Sequence, residues 1–317
     1  MTRPSGTNTG DALYRGGGLQ GDADHVAEGL LASHHLLLGH GLVVQELRQR
    51  DASLDLGITL NHTVADALDS TDPADVDAAR RIDGQFNRWF LDPIYRGQYP
   101  VDIVDDVRAV DADAVARFEA AVLPGDLAII ATPIDTHGVN YYHGELLSGA
   151  VPQLTPPPGE APTDRSTGSP FPSTENIHWV ERGLPRTGQG WEVQPEGLTR
   201  LLVRLSDEYA RPAGVKLHVT ENGAAYDDVA VIDNGVTRVH DVERTEFLRV
   251  HLAAILDAID AADLRTRAPI LGDWTAHFGY YAGLELLRFR DFTAVFAGND
   301  QMALGFSHAC RDMGLSI

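Results

Sequence analysis

Val215-Lys216-Leu217-His218-Val219-Thr220-Glu221-Asn222-Gly223 is a short apolar run that closes on a carboxylate and a turn pair. Val215 to Val219 has the β-branched, apolar character of a buried strand, and Thr220 to Gly223 forms its exit. The Asn222-Gly223 pair turns the chain there, which would present Glu221 at the carboxyl end of the strand. In a parallel barrel the chemistry sits at that end. A strand-end glutamate is equally compatible with a structural or surface role, and periodicity alone does not separate the two.

Working outward, Asp55 to Leu60 reads as a buried parallel strand ending in the polar pair Asn61-His62. Leu127-Ala128-Ile129-Ile130 and Val139-Asn140-Tyr141-Tyr142 bracket another strand-like region. Between these runs lie helical patterns. From His25 to Arg50, Val26, Leu30, Leu37, Val44 and Leu47 recur at helical spacing, and Arg48 and Arg50 suit a helix carboxyl terminus. Asp72-Pro73-Ala74-Asp75 places a capping acid, a first-position proline and a first-turn acid at the start of a helix running towards Trp89 and Phe90. Asp241 to Ala261, after the turn Asp233-Asn234-Gly235, carries Phe247, Leu248, Leu252, Ile255, Leu256 and Ile259 on one broad apolar face. Leu271–Leu287, Thr293–Ala297 and Gln301–Met313 read as helix, strand and helix. Strands alternating with helices predict an α/β fold. Val151 to Ser173, with Pro156-Pro157-Pro158, reads as an extended surface loop, and no solenoid or propeller repeat stands out.

Composition bounds the function. The chain has 317 residues, 43% of them apolar, with a formal charge of −21. That suffices for a large core in one or two globular domains and makes duplex nucleic acid and anionic membrane surfaces poor partners, while a neutral sugar is unaffected. Met1 to Asp24 is Gly-, Thr- and Asp-rich without an apolar stretch, so it reads as a flexible tail rather than a signal peptide or anchor. The one cysteine, Cys310, forms no internal disulfide; it reads as a small buried hydrophobe and agrees with a reducing cytoplasm.

Three further clusters invite chemistry and decline it. Gly16-Gly17-Gly18-Leu19-Gln20-Gly21 has the letters of a dinucleotide fingerprint but no strand ahead of it, so no such cofactor is expected. His34, His35 and His40 do not converge on one helical face, which predicts one packed and two solvated histidines rather than a metal site. The aspartates at 69, 72, 75 and 77 lack the spacing and glycine of a calcium loop and read as helix-start charge.

Four local words accumulate in one order: His34-His35-Leu36-Leu37-Leu38-Gly39-His40-Gly41; Gly138-Val139-Asn140-Tyr141-Tyr142; Arg182 to Thr187 with Gly190-Trp191-Glu192-Val193; and Thr220-Glu221-Asn222-Gly223. Together they resemble glycoside hydrolase family 1 over residues 25 to about 262. The resemblance implies a (β/α)8 barrel and a β-glucosidase-like retaining hydrolase acting on a small carbohydrate, without a cofactor. It makes Glu221 the nucleophile and Tyr142 the residue that orients it, with Asn140 and Asn222 at the sugar. Retaining hydrolysis needs a second carboxyl about 5–5.5 Å from the nucleophile, and the family carries it in an Asn-Glu-Pro motif ahead of the His-His helix. This chain has no Asn-Glu-Pro. The strands present resemble the fifth to seventh of the barrel, which predicts a partial barrel with weak or absent turnover.

Past residue 262 the pattern changes. Gly272-Asp273-Trp274-Thr275, Gly279-Tyr280 and Thr293 to Gly305 resemble the effector-binding domain of LacI-type regulators, which would place Asn299 and Asp300 at a sugar cleft. The chain thus reads as two pieces joined near 260–268. The competing reading is a non-catalytic sugar-binding or regulatory remnant, or a fusion fragment without function.

Overall fold

The computed structural model describes residues 26–150, 171–233, 235–262, 275–288, 295 and 300–315. The chain divides into two compact units, Met1–Ala262 and Asp263–Ile317.

In the first unit, helix α1 (Val26–Arg50) buries Val26, Leu30, His34, Leu37 and Val44, a stripe at the spacing the sequence predicts. Strand β1 (Gly57–His62) begins two residues later than expected and includes the Asn61-His62 pair. After β2 (Ala65–Ala67) comes α2 (Pro73–Asp83), whose cap is the expected one: the Asp72 side chain accepts from the Ala74 amide. A π-helical turn, Gly84–Arg88, joins α2 to α3 (Trp89–Arg96), and α4 (Val101–Val110), α5 (Ala112–Ala121) and α6 (Asp126–Ile130) follow.

Helix α6 corrects the expectation of a strand over Leu127–Ile130. Gly125 enters it in the left-handed region at φ 104°, and Ile130 is buried in the cluster that α1 lines. Four apolar residues carry no period of their own, so only packing decided between strand and buried helix turn. The close contact runs through Gly41, where a Cβ would lie 2.1 Å from the Ile129 carbonyl oxygen.

Strand β3 (Thr136–Tyr141) lies at the centre of a parallel three-stranded sheet, ordered β1-β3-β6 with β6 at Lys216–Glu221. On its helix-facing side Val139 and Tyr141 are fully buried, and Leu60, Leu217 and Val219 pack against the same cluster. A register irregularity between Val139 and Asn140 sets Asn140 opposite Glu221. A second sheet, β2 with β4 (Glu145–Ser148) and β5 (His178–Val180), has one parallel and one antiparallel pair. Helix α7 (Pro195–Leu205) runs through a second π-helical turn into the short α8 (Arg211–Ala213), and a hairpin of β7 (Ala230–Asp233) and β8 (Val236–Val239) precedes α9 (Val242–Ala261).

Helix α9 turns a different face inward from the one its leucines suggest. Phe247, His251, Ala254 and Ala258 are buried, whereas Leu252 and Leu256 are exposed. The alanines let α9 approach α7 closely enough for the Thr199 hydroxyl to donate to the Ala254 carbonyl at 2.8 Å. Side-chain size, more than hydrophobicity, selected the packing face.

Two further expectations meet the structure only in part. Of the loop read over 151–173, residues 171–173 are described, and they are not at the surface: Phe171 and Ser173 are buried, and Phe171 meets the Phe86 ring at 6.2 Å. The stretches 1–24 and 16–21 lie outside the described residues.

The second unit is described as two helices. Helix α10 (Ala276–Leu286) is capped by the Thr275 hydroxyl, and α11 (Asp300–Asp312) packs on it around Leu287, Ala309 and Cys310. Cys310 is buried and unpaired with sulfur, as a small core residue. The expected strand over 293–297 falls outside the described residues apart from position 295.

Candidate active site

Strand β6 delivers Glu221 to the carboxyl end of the three-stranded sheet, on its last residue. Strand β3 ends one strand over, so Tyr142 leaves it beside Glu221, and the Tyr142 hydroxyl donates to Glu221 Oε2. Tyr142 is half-buried, and burial together with the neighbouring carboxylate pushes its hydroxyl up to about 12, so it stays a donor at neutral pH. A neutral donor fixes one carboxylate oxygen and leaves the other free to react.

Asn140 lies opposite Glu221 in register and accepts from the Thr220 hydroxyl at 2.7 Å, which fixes its carbonyl oxygen. Asn222 sits next to Glu221 but directs its side-chain amide to the Tyr141 carbonyl at 2.8 Å, bracing the strand exit. Asn299 lies outside the described residues, and Asp300 opens α11 in the other unit. Four of the six residues singled out in the sequence therefore gather at one strand end.

The frame around them was only partly legible. Trp191 stacks near Tyr142 at 5.6 Å between ring centroids and near His143 at 4.9 Å, walling one side of the mouth. Its loop is held from below. Buried Glu192 accepts the amides of Arg182 and Leu184, and Arg182, Arg200 and Gln194 all donate to Asp66. Desolvation opposes ionisation of Asp66, but these donors outweigh it and hold the carboxyl near about 2. The Tyr141 hydroxyl donates to the Gln194 carbonyl at 2.9 Å, tying that loop to β3.

Beneath the mouth lies a polar chain that the sequence did not reveal. His62 on β1 and His137 on β3 are buried, with their Nε2 atoms 3.0 Å apart. His62 Nδ1 meets Asn87 Oδ1 at 3.1 Å, and the Tyr95 hydroxyl meets His137 Nδ1 at 2.9 Å. Asn87 can only accept through that oxygen, so His62 carries its proton on Nδ1, His137 donates from Nε2, and Tyr95 donates to Nδ1 of His137. With both rings neutral, every ring nitrogen in this chain has a complementary partner. Burial drives both in that direction, His62 to about 4 and His137 to about 3, the latter also through His62 itself.

The three histidines of α1 divide differently from the expectation. His34 is buried between Tyr99, 3.0 Å from Nδ1, and Asp126, 3.2 Å from Nε2, and His35 is exposed. His40, expected in solvent, is half-buried, and desolvation lowers its pKa. Of the four aspartates, Asp72 caps α2 as expected, but Asp75 is buried and accepts from Ser148 and from the Gly149 amide, joining α2 to β4.

The model of glycosyl hydrolase family 1 matches residues 8–272. The chain belongs to glycosyl hydrolase family 1. The match starts within the stretch read as a tail and runs past 262, so the family likeness is longer at both ends than its motifs. A bifunctional β-D-glucosidase/β-D-fucosidase of Bifidobacterium breve is 36% identical over 72% of this chain and 45% of its own length. The thermostable β-glucosidase B of Thermobispora bispora is 37% identical over 90% and 53%. The crystal structure of psychrophilic β-glucosidase BglU from Micrococcus antarcticus superposes with a TM-score of 0.64 at 40% identity, over 79% of this chain and 51% of that one. The family implies an α/β TIM-barrel fold, and this chain spans about half the length of these relatives. Among the described residues no helix is long and apolar enough to cross a membrane.

Proposed function

We propose that this chain carries the nucleophile half of a retaining β-glucosidase site, with Glu221 as nucleophile. The observation that supports it best is the hydrogen bond from Tyr142 to Glu221 at the carboxyl mouth of a parallel sheet. The Glu221 carboxylate attacks the anomeric carbon while the glycosidic C–O bond breaks, and its electron pair leaves on the aglycone oxygen. Tyr142 orients the attacking group, Asn140 and Asn222 line the sugar side, and the β1-β3-β6 sheet corresponds to strands five to seven of a partial barrel. A β-linked glucoside is the substrate class, by likeness to the relatives.

No Asn-Glu-Pro supplies the proton for the leaving oxygen. A nitrophenyl glucoside, whose phenolate leaves unprotonated, is therefore expected to glycosylate Glu221 faster than cellobiose is cleaved. Azide, attacking the anomeric carbon without a general base, is expected to accelerate release of the intermediate as glucosyl azide. The test is mass spectrometry of the intact protein after exposure to a 2-fluoro-glucoside with an activated leaving group. An adduct on Glu221, absent in Glu221→Gln, is the expected result. An adduct elsewhere refutes the assignment, and glucose binding with no adduct supports the non-catalytic reading instead.

For residues 268–317 the proposal is a LacI-like effector-domain segment with Asn299 and Asp300 as sugar contacts, motivated by the sequence words there. A cytoplasmic location is proposed on the strength of a lone, buried cysteine.

A further inference from the structure

Helices α10 and α11 of the second unit meet along glycines. A Cβ at Gly279 would overlap the Met302 carbonyl, one at Gly305 would overlap the Ala276 carbonyl, and one at Gly283 would lie 2.9 Å from the Ala309 methyl. With no side chain at these three positions the two backbones approach closely, and polar and aromatic side chains stand to one flank of the seam. There they line a cleft of about 550 Å³, with His277, Tyr280 and Tyr281 from α10 and His308, Arg311 and Asp312 from α11. That size suits one small molecule.

Each helix supplies one wall. On α10, His277 and Tyr281 lie one turn apart on the same face, with ring centroids 4.8 Å apart at 74°, and Tyr281 is 56% exposed, so its ring is open to a ligand. On α11, His308 and Arg311 also share a face, and neither makes an ion pair or hydrogen bond with another described residue. The Tyr280 hydroxyl donates to Asp312 Oδ2 at 2.7 Å, which orients that carboxylate and leaves Oδ1 to accept from a ligand. Among the described residues no three His, Cys, Asp or Glu side chains converge as a metal requires, so the imidazoles serve here as hydrogen-bonding groups.

The charges select the class of ligand. Arg311 opposes a cation, while the Asp312 carboxylate and the carbonyl ends of the last turn of α11 oppose an anion. A neutral molecule that both gives and takes hydrogen bonds, and that has an apolar face for the tyrosine ring, meets all of these conditions. Neighbouring hydroxyls on a pyranose ring can accept from the Arg311 guanidinium and donate to Asp312 Oδ1, while the ring's C–H face lies on the electron-rich face of Tyr281. We propose that this cleft binds a neutral pyranose sugar, at a site separate from Glu221, with Tyr281 as the platform and Arg311 and Asp312 as the groups that read adjacent hydroxyls. The site uses neither Asn299 nor Asp300. It rests on the glycosidase reading only in the choice of glucose-containing probes.

The experiment titrates the full chain with glucose, galactose and cellobiose by calorimetry and follows hydrogen exchange over residues 276–286 and 300–312. Binding of at least one of these sugars, with slowed exchange in both segments, is expected. Tyr281→Ala is expected to weaken it about tenfold or more, whereas Tyr281→Phe, which keeps the ring, should change it by less than about twofold, both with the melting profile of the unsubstituted chain. Arg311→Ala should weaken it as well, and Asn299→Ala should leave it unchanged. Sugar binding that is indifferent to Tyr281→Ala, slowed exchange confined to residues 136–142 and 216–223, or no binding of any of the three sugars overturns the proposal. Glucose 6-phosphate bound more tightly than glucose, with dependence on Arg311, would mark an anion site and overturn it too. Trapping at Glu221 is expected to be the same in Tyr281→Ala as in the unsubstituted chain. Sugar held in the cleft of a chain that forms no Glu221 adduct would leave this site standing and overturn the glycosidase reading.

Discussion

Acidification from pH 8 to pH 5 is expected to destabilise the first unit through His62 and His137, and His137→Gln is expected to remove about half of that pair's contribution. Both rings are buried and neutral, held between Asn87 and Tyr95, with Asp83 and Arg204 as the nearby charges that raise and lower the His62 pKa respectively. The folded-state values, about 4 and about 3, lie below the ordinary 6.5, so the unfolded chain binds more protons than the folded one between pH 6.5 and about 4. Stability is therefore full above 6.5 and is lost as the pH falls through that window. At pH 5 the unfolded chain gains about 1.5 pH units of protonation free energy per ring, roughly 2 kcal/mol each or about 4 for the pair. That is a large part of the stability of an ordinary domain. His40 and His251 are shifted in the same direction by burial and add to the slope, whereas Asp66 and Asp102, held near about 2, act only at lower pH. The assay is urea unfolding at several pH values between 6 and 5. Glutamine keeps a donor and an acceptor, so His137→Gln should lower the slope of stability against pH by about 1.3 kcal/mol per pH unit, whatever its effect at pH 8. A slope equal to that of the unsubstituted chain would refute the buried neutral pair.

Two further outcomes follow from local geometry. Tyr142→Phe removes one hydrogen bond to a carboxylate, worth about 1.5–3 kcal/mol, and should slow adduct formation at Glu221 by roughly tenfold or more without altering the melting temperature appreciably. An unchanged trapping rate would show that Tyr142 does not orient the nucleophile. Gly41→Ala places a methyl against the Ile129 carbonyl and should cost about 1–3 kcal/mol, whereas Gly39→Ala, in open space on the same helix, should stabilise by up to about 1 kcal/mol. Equal thermal melts for the two variants would contradict the close approach of α1 to α6.

The elements with long periods or explicit punctuation were legible. Helix α1 was visible because five apolar residues repeat over about six turns, and α2 because Asp72-Pro73 announces its cap. Helix α6 and the inward face of α9 were not, since four apolar residues have no period and alanine carries too little hydrophobicity to outvote leucine in a sequence pattern. In the site, Glu221, Tyr142, Asn140 and Asn222 were named from words that stand next to strand ends. Trp191 stood in one of those words without being assigned a place. His137 lay within a strand, where a buried histidine leaves no compositional mark.

The sequence by itself determined which chemistry the chain can attempt: a strand-end carboxylate, a tyrosine on a neighbouring strand and the family they belong to, because these are encoded in contiguous residues. Only the tertiary structure decided that the hydroxyl of Tyr142 meets Glu221 and that His62 and His137 share a buried chain. Those facts depend on strand order and register, which join residues 75 to 79 positions apart, and no local pattern specifies such pairings.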